Sequence, residues 1–322
     1  MLRDLPLEEL RSYTGRVTLP EDFEEFWRET LAASRSRSWR PRTLPVATPL
    51  TTLDVYDLTF AGFEGEPIKG WLRVPRGHAG RLPAVVTYAG YGGGRGLPTE
   101  SLAWASAGFA HVQMDTRGQG SSWGVGDTPD SGGSGPSVPG QCTRGIEDRS
   151  TYYYRRLFTD AVLAVEAARQ LPQVDPDRIA VQGGSQGGAM ALAAAALAAG
   201  VRAAWVSVPF LADVRRGVEA TDARPYSEFA EYLACHRDRV AAVFGVLAYF
   251  DGVNFARLSR VPVRLTAALM DQIVPPSTVF AAYNNYAGPK ELLVWEFNGH
   301  EAGGPFEEAQ ALRFFAGELV RD

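Results

Sequence analysis

Gly183-Gly184-Ser185-Gln186-Gly187-Gly188 follows the apolar run Ile179-Ala180-Val181 and precedes an alanine-rich stretch. Read as strand, tight turn and helix, it is a Gly-x-Ser-x-Gly element in the context that element requires. The helix has to pack close to the strand, so a Cβ at Gly183 or Gly187 would collide. The turn holds the Ser185 hydroxyl clear of the backbone at a helix N-terminus, where N–H groups and the dipole favour developing negative charge. A glycine-rich turn with a serine N-cap is the plainer alternative. It does not call for the strand on one side and the apolar helix on the other.

Outward from this turn, residues 84–88, 110–114, 178–182, 203–208 and 263–268 are short apolar runs, the pattern of strands covered on both faces. Helical patterns at 152–171, 188–199, 277–286 and 306–319 lie between and after them. Alternating strands and helices make the class α/β. With the serine turn, the expectation is an α/β-hydrolase fold, a mostly parallel central sheet flanked by helices. Residues 52–60 and 68–74 alternate apolar and polar around Gly62-Phe63-Glu64-Gly65, an antiparallel hairpin expected to form a sheet edge. Leu19-Pro20-Glu21-Asp22-Phe23 opens an amphipathic helix through Phe26, Trp27 and Leu31, so residues 1–50 read as a helical extension. Two stretches break the alternation. Residues 118–145 form a long loop rich in Gly, Ser and Pro, and 211–256 read as helices inserted as a cap over a pocket. No linker divides the chain, so 1–322 is expected to be a single domain.

With 45% hydrophobic residues, 322 residues can bury a sizeable core. A net charge of −5, mixed along the chain, supplies no basic stripe for phosphates, which argues against a nucleic-acid partner. Residues 1–9 lack the apolar segment of a signal peptide or a membrane span, and 189–199 read as a buried helix. Cys142 and Cys235 are far apart and in no metal-like spacing, so they are expected to be reduced structural thiols. A cytoplasmic protein without a membrane partner, metal or cofactor is the expectation.

A serine nucleophile needs a base, and the chain has four histidines. His78 lies in a turn, His111 within a buried strand, and His236 among the charges of the inserted helices. His300 follows the strand at 291–297 in Asn298-Gly299-His300-Glu301, just before the last helix, where this fold places its base. The orienting acid belongs between serine and histidine, after a strand. Asp271, in Met270-Asp271-Gln272-Ile273, meets that requirement. For the oxyanion, one donor is expected from the backbone N–H of Gln186. The other is expected from the loop Tyr88-Ala89-Gly90-Tyr91-Gly92-Gly93-Gly94-Arg95-Gly96, which has no sound dinucleotide-binding spacing.

The chain resembles the acetyl xylan esterase and cephalosporin C deacetylase family, carbohydrate esterase family seven. The resemblance runs through residues 88–96, Met114-Asp115-Thr116-Arg117-Gly118-Gln119-Gly120-Ser121, Thr143-Arg144-Gly145-Ile146 and Thr151-Tyr152-Tyr153-Tyr154-Arg155-Arg156. It continues through Gly183 to Gly188, residues 249–256 and 275–284, and His300-Glu301, almost the whole chain. It implies Ser185, Asp271 and His300 as the triad, with Tyr91 and Gln186 donating backbone N–H groups to the oxyanion. It also implies acetyl esters of xylose, xylo-oligosaccharides and other sugars as substrates, the acetyl group of cephalosporin C, and a doughnut-like homohexamer. Gly92 stands where the family has asparagine, and Asn285 where a second tyrosine is usual.

Arg117 and Gln119 are expected to tie the long loop to the serine turn through hydrogen bonds. Tyr91, Phe210 and Trp123 are candidates to wall a small acyl pocket. The serine turn and triad leave a peptidase or lipase open, and a non-catalytic binding protein on the same fold is the reading from a different class.

Overall fold

The computed structural model describes residues 4–133 and 135–320. Among the described residues, nine strands join in one sheet: β1 (Arg42–Val46), β2 (Leu53–Ala61), β3 (Pro67–Pro75), β4 (Leu82–Tyr88), β5 (Ala110–Met114), β6 (Val174–Gly184), β7 (Val201–Ser207), β8 (Val263–Ala268) and β9 (Lys290–Trp295). Their spatial order is β1-β2-β3-β5-β4-β6-β7-β8-β9. Pairing is parallel from β5 across to β9, while β1, β2 and β3 extend the sheet with antiparallel ladders.

The helices are α1 (Leu7–Leu10), α2 (Phe23–Arg35), α3 (Ala103–Ser106), α4 (Tyr153–Ala168), α5 (Gln186–Leu197), α6 (Val214–Ala220), α7 (Tyr226–Cys235), α8 (Val240–Leu247), α9 (Gly252–Leu258), α10 (Pro276–Asn285) and α11 (Gly304–Leu319). The period of two along each strand sorts its side chains between two cores. Val85, Ala180, Ala203 and Trp205 meet Trp104 of α3 and Phe315 of α11 on one face. Their neighbours Ala84, Val86, Ile179, Val181, Ala204 and Val206 face the larger core with α4 and α5. Burial on both faces explains why these strands read as continuous apolar runs. The fold is the α/β-hydrolase fold.

The hairpin strands pair as expected, Leu53 opposite Pro75 through Ala61 opposite Pro67, but they are not the sheet edge. β1 lies outside β2, so the 1–50 segment contributes a strand as well as helices. Arg42-Thr43-Leu44-Pro45-Val46 has weak alternation and a proline, a composition that hides a strand from pattern reading yet suits an outermost one. α2 packs its Phe23 and Trp27 against Phe255 at ring separations of 5.4 and 5.5 Å, and Trp27 Nε1 donates to the Tyr249 carbonyl at 3.0 Å. The N-terminal segment is thereby fastened to the helices inserted between β7 and β8. Val240–Leu258 is apolar and long enough to cross a bilayer by composition. It folds instead as α8 and α9, broken at residues 248–251, with half of it buried in the protein.

The glycine-rich segment after β5 is held by a buried carboxylate, Asp115, and a buried guanidinium, Arg117. Asp115, fully buried, accepts from the backbone N–H groups of Arg95 (2.9 Å), Thr116 (3.0 Å) and Thr128 (2.8 Å). Arg117 is likewise buried, donating to Asp160 through Nε and, at 2.9 Å, Nη2, and to Glu66 at 2.6 Å. Burial alone would lower the Arg117 pKa, but Asp160 and Glu66 raise it above the ordinary arginine value. Arg117→Met is expected to cost about 3–5 kcal/mol in urea unfolding, because Asp160 would stay buried without its cation.

Candidate active site

β6 runs into α5 through the serine turn. Ser185 sits between them at φ 57° and ψ −121°, a conformation a non-glycine residue adopts only when its surroundings impose it. The imposition is visible in two glycines. A Cβ on Gly183 would lie 2.1 Å from the Gly187 carbonyl oxygen, and one on Gly187 would lie 2.2 Å from that of Tyr88. Helix α5 can approach β4 and β6 only because both side chains are absent. Gly187→Ala is accordingly expected to destabilise the fold by about 1–3 kcal/mol in chemical denaturation and to displace Ser185, seen as lost turnover.

Asp271 follows β8 and is buried. Its Oδ1 accepts from the backbone N–H groups of Ile273 at 2.8 Å and Val274 at 3.0 Å, which leaves Oδ2 for the His300 Nδ1, 2.8 Å away. A carboxylate only accepts, so Nδ1 is the ring nitrogen that carries a proton on this side, and Nε2 is the nitrogen left for other partners. His300 lies in the loop between β9 and α11. That loop is anchored by the buried carboxylate of Glu307, which accepts from Trp205 Nε1 at 2.9 Å, Trp295 Nε1 at 3.2 Å and the Gly303 N–H at 3.1 Å. Ser185 and His300 face one cavity of about 700 Å³, shared with Gly90, Tyr91, Trp123 and Arg224.

The other histidines are elsewhere in role or place. His111 is fully buried, with Nε2 2.9 Å from Thr87 Oγ1. Burial and the Arg73 guanidinium push its pKa well below the ordinary histidine value, and it is among the residues lining the same cavity. His236 stacks on Tyr232 beyond the end of α7, and the His78 ring meets the Gly80 carbonyl in its turn.

Gln186 opens α5, so its backbone N–H is among those a helix N-terminus leaves without intrahelical partners. The loop after β4 lies directly against the serine: a Cβ on Gly90 would stand 3.8 Å from Ser185 Cβ. Gly92, the departure noted above, has φ +79° and would drive a Cβ to 2.7 Å from Ser122 Oγ, so glycine is the residue its local backbone takes. Asn285 lies on α10, where its side chain donates to the Thr14 carbonyl at 2.8 Å and accepts from Arg257 Nε at 3.1 Å, and it is not among the residues lining the cavity.

Gln119 joins these pieces. Its amide oxygen accepts from the Gly92 N–H at 2.7 Å, and its amide nitrogen donates to Gln186 Oε1 and to the Tyr153 hydroxyl, both at 2.9 Å. One side chain thus couples the loop after β4, the start of α5 and the start of α4, while Arg117 anchors the long loop behind it.

Of the three aromatics proposed as walls, Tyr91 and Trp123 line the cavity, and Trp123 Nε1 donates to the Tyr91 carbonyl at 2.8 Å. Phe210 does not. It is fully buried and packs edge-on against Tyr226 at 4.7 Å, supporting Tyr91 from behind at 6.4 Å. Its position just after β7 lets it turn into the core, where burial of a phenyl ring is worth more than exposure in a polar pocket. Sequence reading missed Glu228, a buried carboxylate on α7 that reaches the Tyr91 hydroxyl. The available signal was an acid amid the apolar positions Tyr226, Phe229 and Tyr232.

The sequence model for acetyl xylan esterase (AXE1) matches residues 1–318. A solved acetyl xylan esterase from Paenibacillus sp. R4 is 39% identical and superposes with a TM-score of 0.93 over 98% of this chain and all of the other. Acetyl xylan esterase 1 from Thermoanaerobacterium sp. JW/SL YS485 is 35% identical, with a TM-score of 0.90 over 98% of this chain and 99% of the other. Acetyl esterase Axe7A of Xylanibacter ruminicola is 30% identical over 300 residues, 91% of this chain, and the chain spans 65% of that relative's length. With a matched model over nearly its full length and two solved relatives sharing its whole architecture, the chain belongs to the acetyl xylan esterase family.

Proposed function

We propose that the protein is a serine esterase that removes acetyl groups from small acetylated sugars, xylose and xylo-oligosaccharides among them, and from cephalosporin C. The observation that carries this reading is the Asp271–His300 hydrogen bond of 2.8 Å, with His300 facing the cavity that also holds the strained Ser185. In the proposed cycle His300 Nε2 takes the Ser185 proton as Oγ attacks the acetyl carbonyl carbon. The backbone N–H groups of Tyr91 and Gln186 hold the oxyanion. The sugar alcohol leaves with the proton from His300. Water, deprotonated by the same nitrogen, then releases acetate from the acetyl-enzyme.

The substrate class rests on the cavity and on the family. About 700 Å³ admits a mono- or short oligosaccharide ester. Arg224, Glu301 and Glu308 on its walls suit sugar hydroxyls better than a long acyl chain. Acetylated xylose, xylo-oligosaccharide acetates and cephalosporin C should therefore be turned over faster than an octanoate ester or a peptide amide. Preference for the octanoate or the amide would overturn the assignment. We further propose a homo-oligomer, since Phe297 and Phe306 are each 78% exposed, and a monomeric mass by light scattering would contradict it.

A further inference from the structure

The hydroxyl of Tyr91 is enclosed far from the backbone N–H that the proposed mechanism uses. It donates to the Glu228 carboxylate, 2.8 Å from Oε1 and 3.0 Å from Oε2, and it accepts from the Gln141 N–H at 2.6 Å. Glu228 also accepts from the Cys142 N–H at 3.1 Å, and Arg224 Nη1 approaches its Oε1 at 3.4 Å while donating to the Pro139 carbonyl at 3.1 Å. The turn around Gly140 is cut to fit this carboxylate, because a Cβ there would stand 2.3 Å from either Glu228 oxygen.

A carboxylate 1% exposed on a short helix is costly to desolvate, and a well-packed apolar residue would serve helix stability at least as well. Its bonds go instead to Tyr91 in the loop after β4 and to Cys142 near the end of the long loop, with Arg224 beside it. Tyr91 is also held at its carbonyl by Trp123, and its successor Gly92 is held at its N–H by Gln119. Among these holds, Glu228 is the one that reaches the Tyr91 side chain from the inserted helices.

We propose that Glu228 is a positioning residue for the oxyanion site: from α7 it orients Tyr91 so that the Tyr91 N–H points at the developing charge. The inserted helices therefore bear on the chemistry and not only on access to the cavity. This rests on the esterase reading above, with Tyr91 as a donor.

The test compares wild type, Tyr91→Phe, Glu228→Leu, Glu228→Gln and the Tyr91→Phe/Glu228→Leu double variant. Steady-state kinetics on p-nitrophenyl acetate are normalised to the folded fraction from circular dichroism. Losing an oxyanion donor costs about 100- to 1,000-fold in kcat, and a donor that is misaimed rather than lost should cost about 10- to 100-fold with little change in KM. Glu228→Gln, which keeps one acceptor oxygen, should fall between wild type and Glu228→Leu. The double variant should be no slower than the slower single, since both remove the same bond. A general loosening of the fold would instead give additive losses. Wild-type kcat in Tyr91→Phe or Glu228→Leu, or additivity in the double variant, would overturn the proposal. If Glu228→Leu fails to fold, Tyr91→Phe decides alone. Wild type inert toward acetate would defeat the esterase reading itself, a different failure from an active wild type with indifferent variants.

Discussion

Ser185→Ala is expected to lower kcat on p-nitrophenyl acetate by about 10⁵- to 10⁶-fold, because the acetyl-enzyme can form nowhere else once the hydroxyl is gone. The variant should fold. Alanine retains the Cβ that Ser185 already carries at φ 57°, so the strain of the turn is unchanged, and the backbone bonds from Ser185 N to the Ser207 carbonyl and from Phe210 N to the Ser185 carbonyl involve no side chain. A melting temperature near that of wild type, together with loss of labelling by an organophosphonate, separates lost chemistry from lost structure. Turnover within tenfold of wild type would remove Ser185 from the mechanism.

Asp271→Asn is expected to lower kcat by about 10⁴-fold through the tautomer of His300 rather than through its position. The asparagine oxygen can still accept from Ile273 and Val274, as Oδ1 does now, so the amide NH2 then faces His300 Nδ1. Nδ1 becomes the acceptor, the ring proton moves to Nε2, and the nitrogen meant to take the Ser185 proton is already occupied. Because the imidazole stays in place, KM should change little. Activity in Asp271→Asn above a tenth of wild type would show that the carboxylate does not govern the histidine.

The elements that were legible have local causes. The Gly-x-Ser-x-Gly turn is dictated by contacts between atoms a few residues apart, Gly183 against Gly187, and by one neighbouring strand. The buried parallel strands announce themselves because each has to be apolar on both faces. β1 escaped because an outermost strand has few apolar positions and tolerates proline. Helix α5 begins at Gln186 rather than two residues later, since the serine turn itself supplies its N-cap. Phe210 was placed in the pocket wall because its direction depends on how the chain leaves β7, which local pattern does not encode.

From residue types and spacing alone came the α/β class and the serine turn, and from them the proposal of Ser185, Asp271 and His300 as nucleophile, acid and base. These follow from backbone geometry and from the side chains a given chemistry needs, both short-range requirements. Tertiary structure alone decided which partners those residues meet: Asp271 Oδ2 on His300, Gln119 between Gly92 and Gln186, and Glu228 on a tyrosine 137 residues away. Such contacts depend on how distant segments pack. A buried polar group must find a partner when it leaves water, but the penalty for lacking one does not say which segment will supply it.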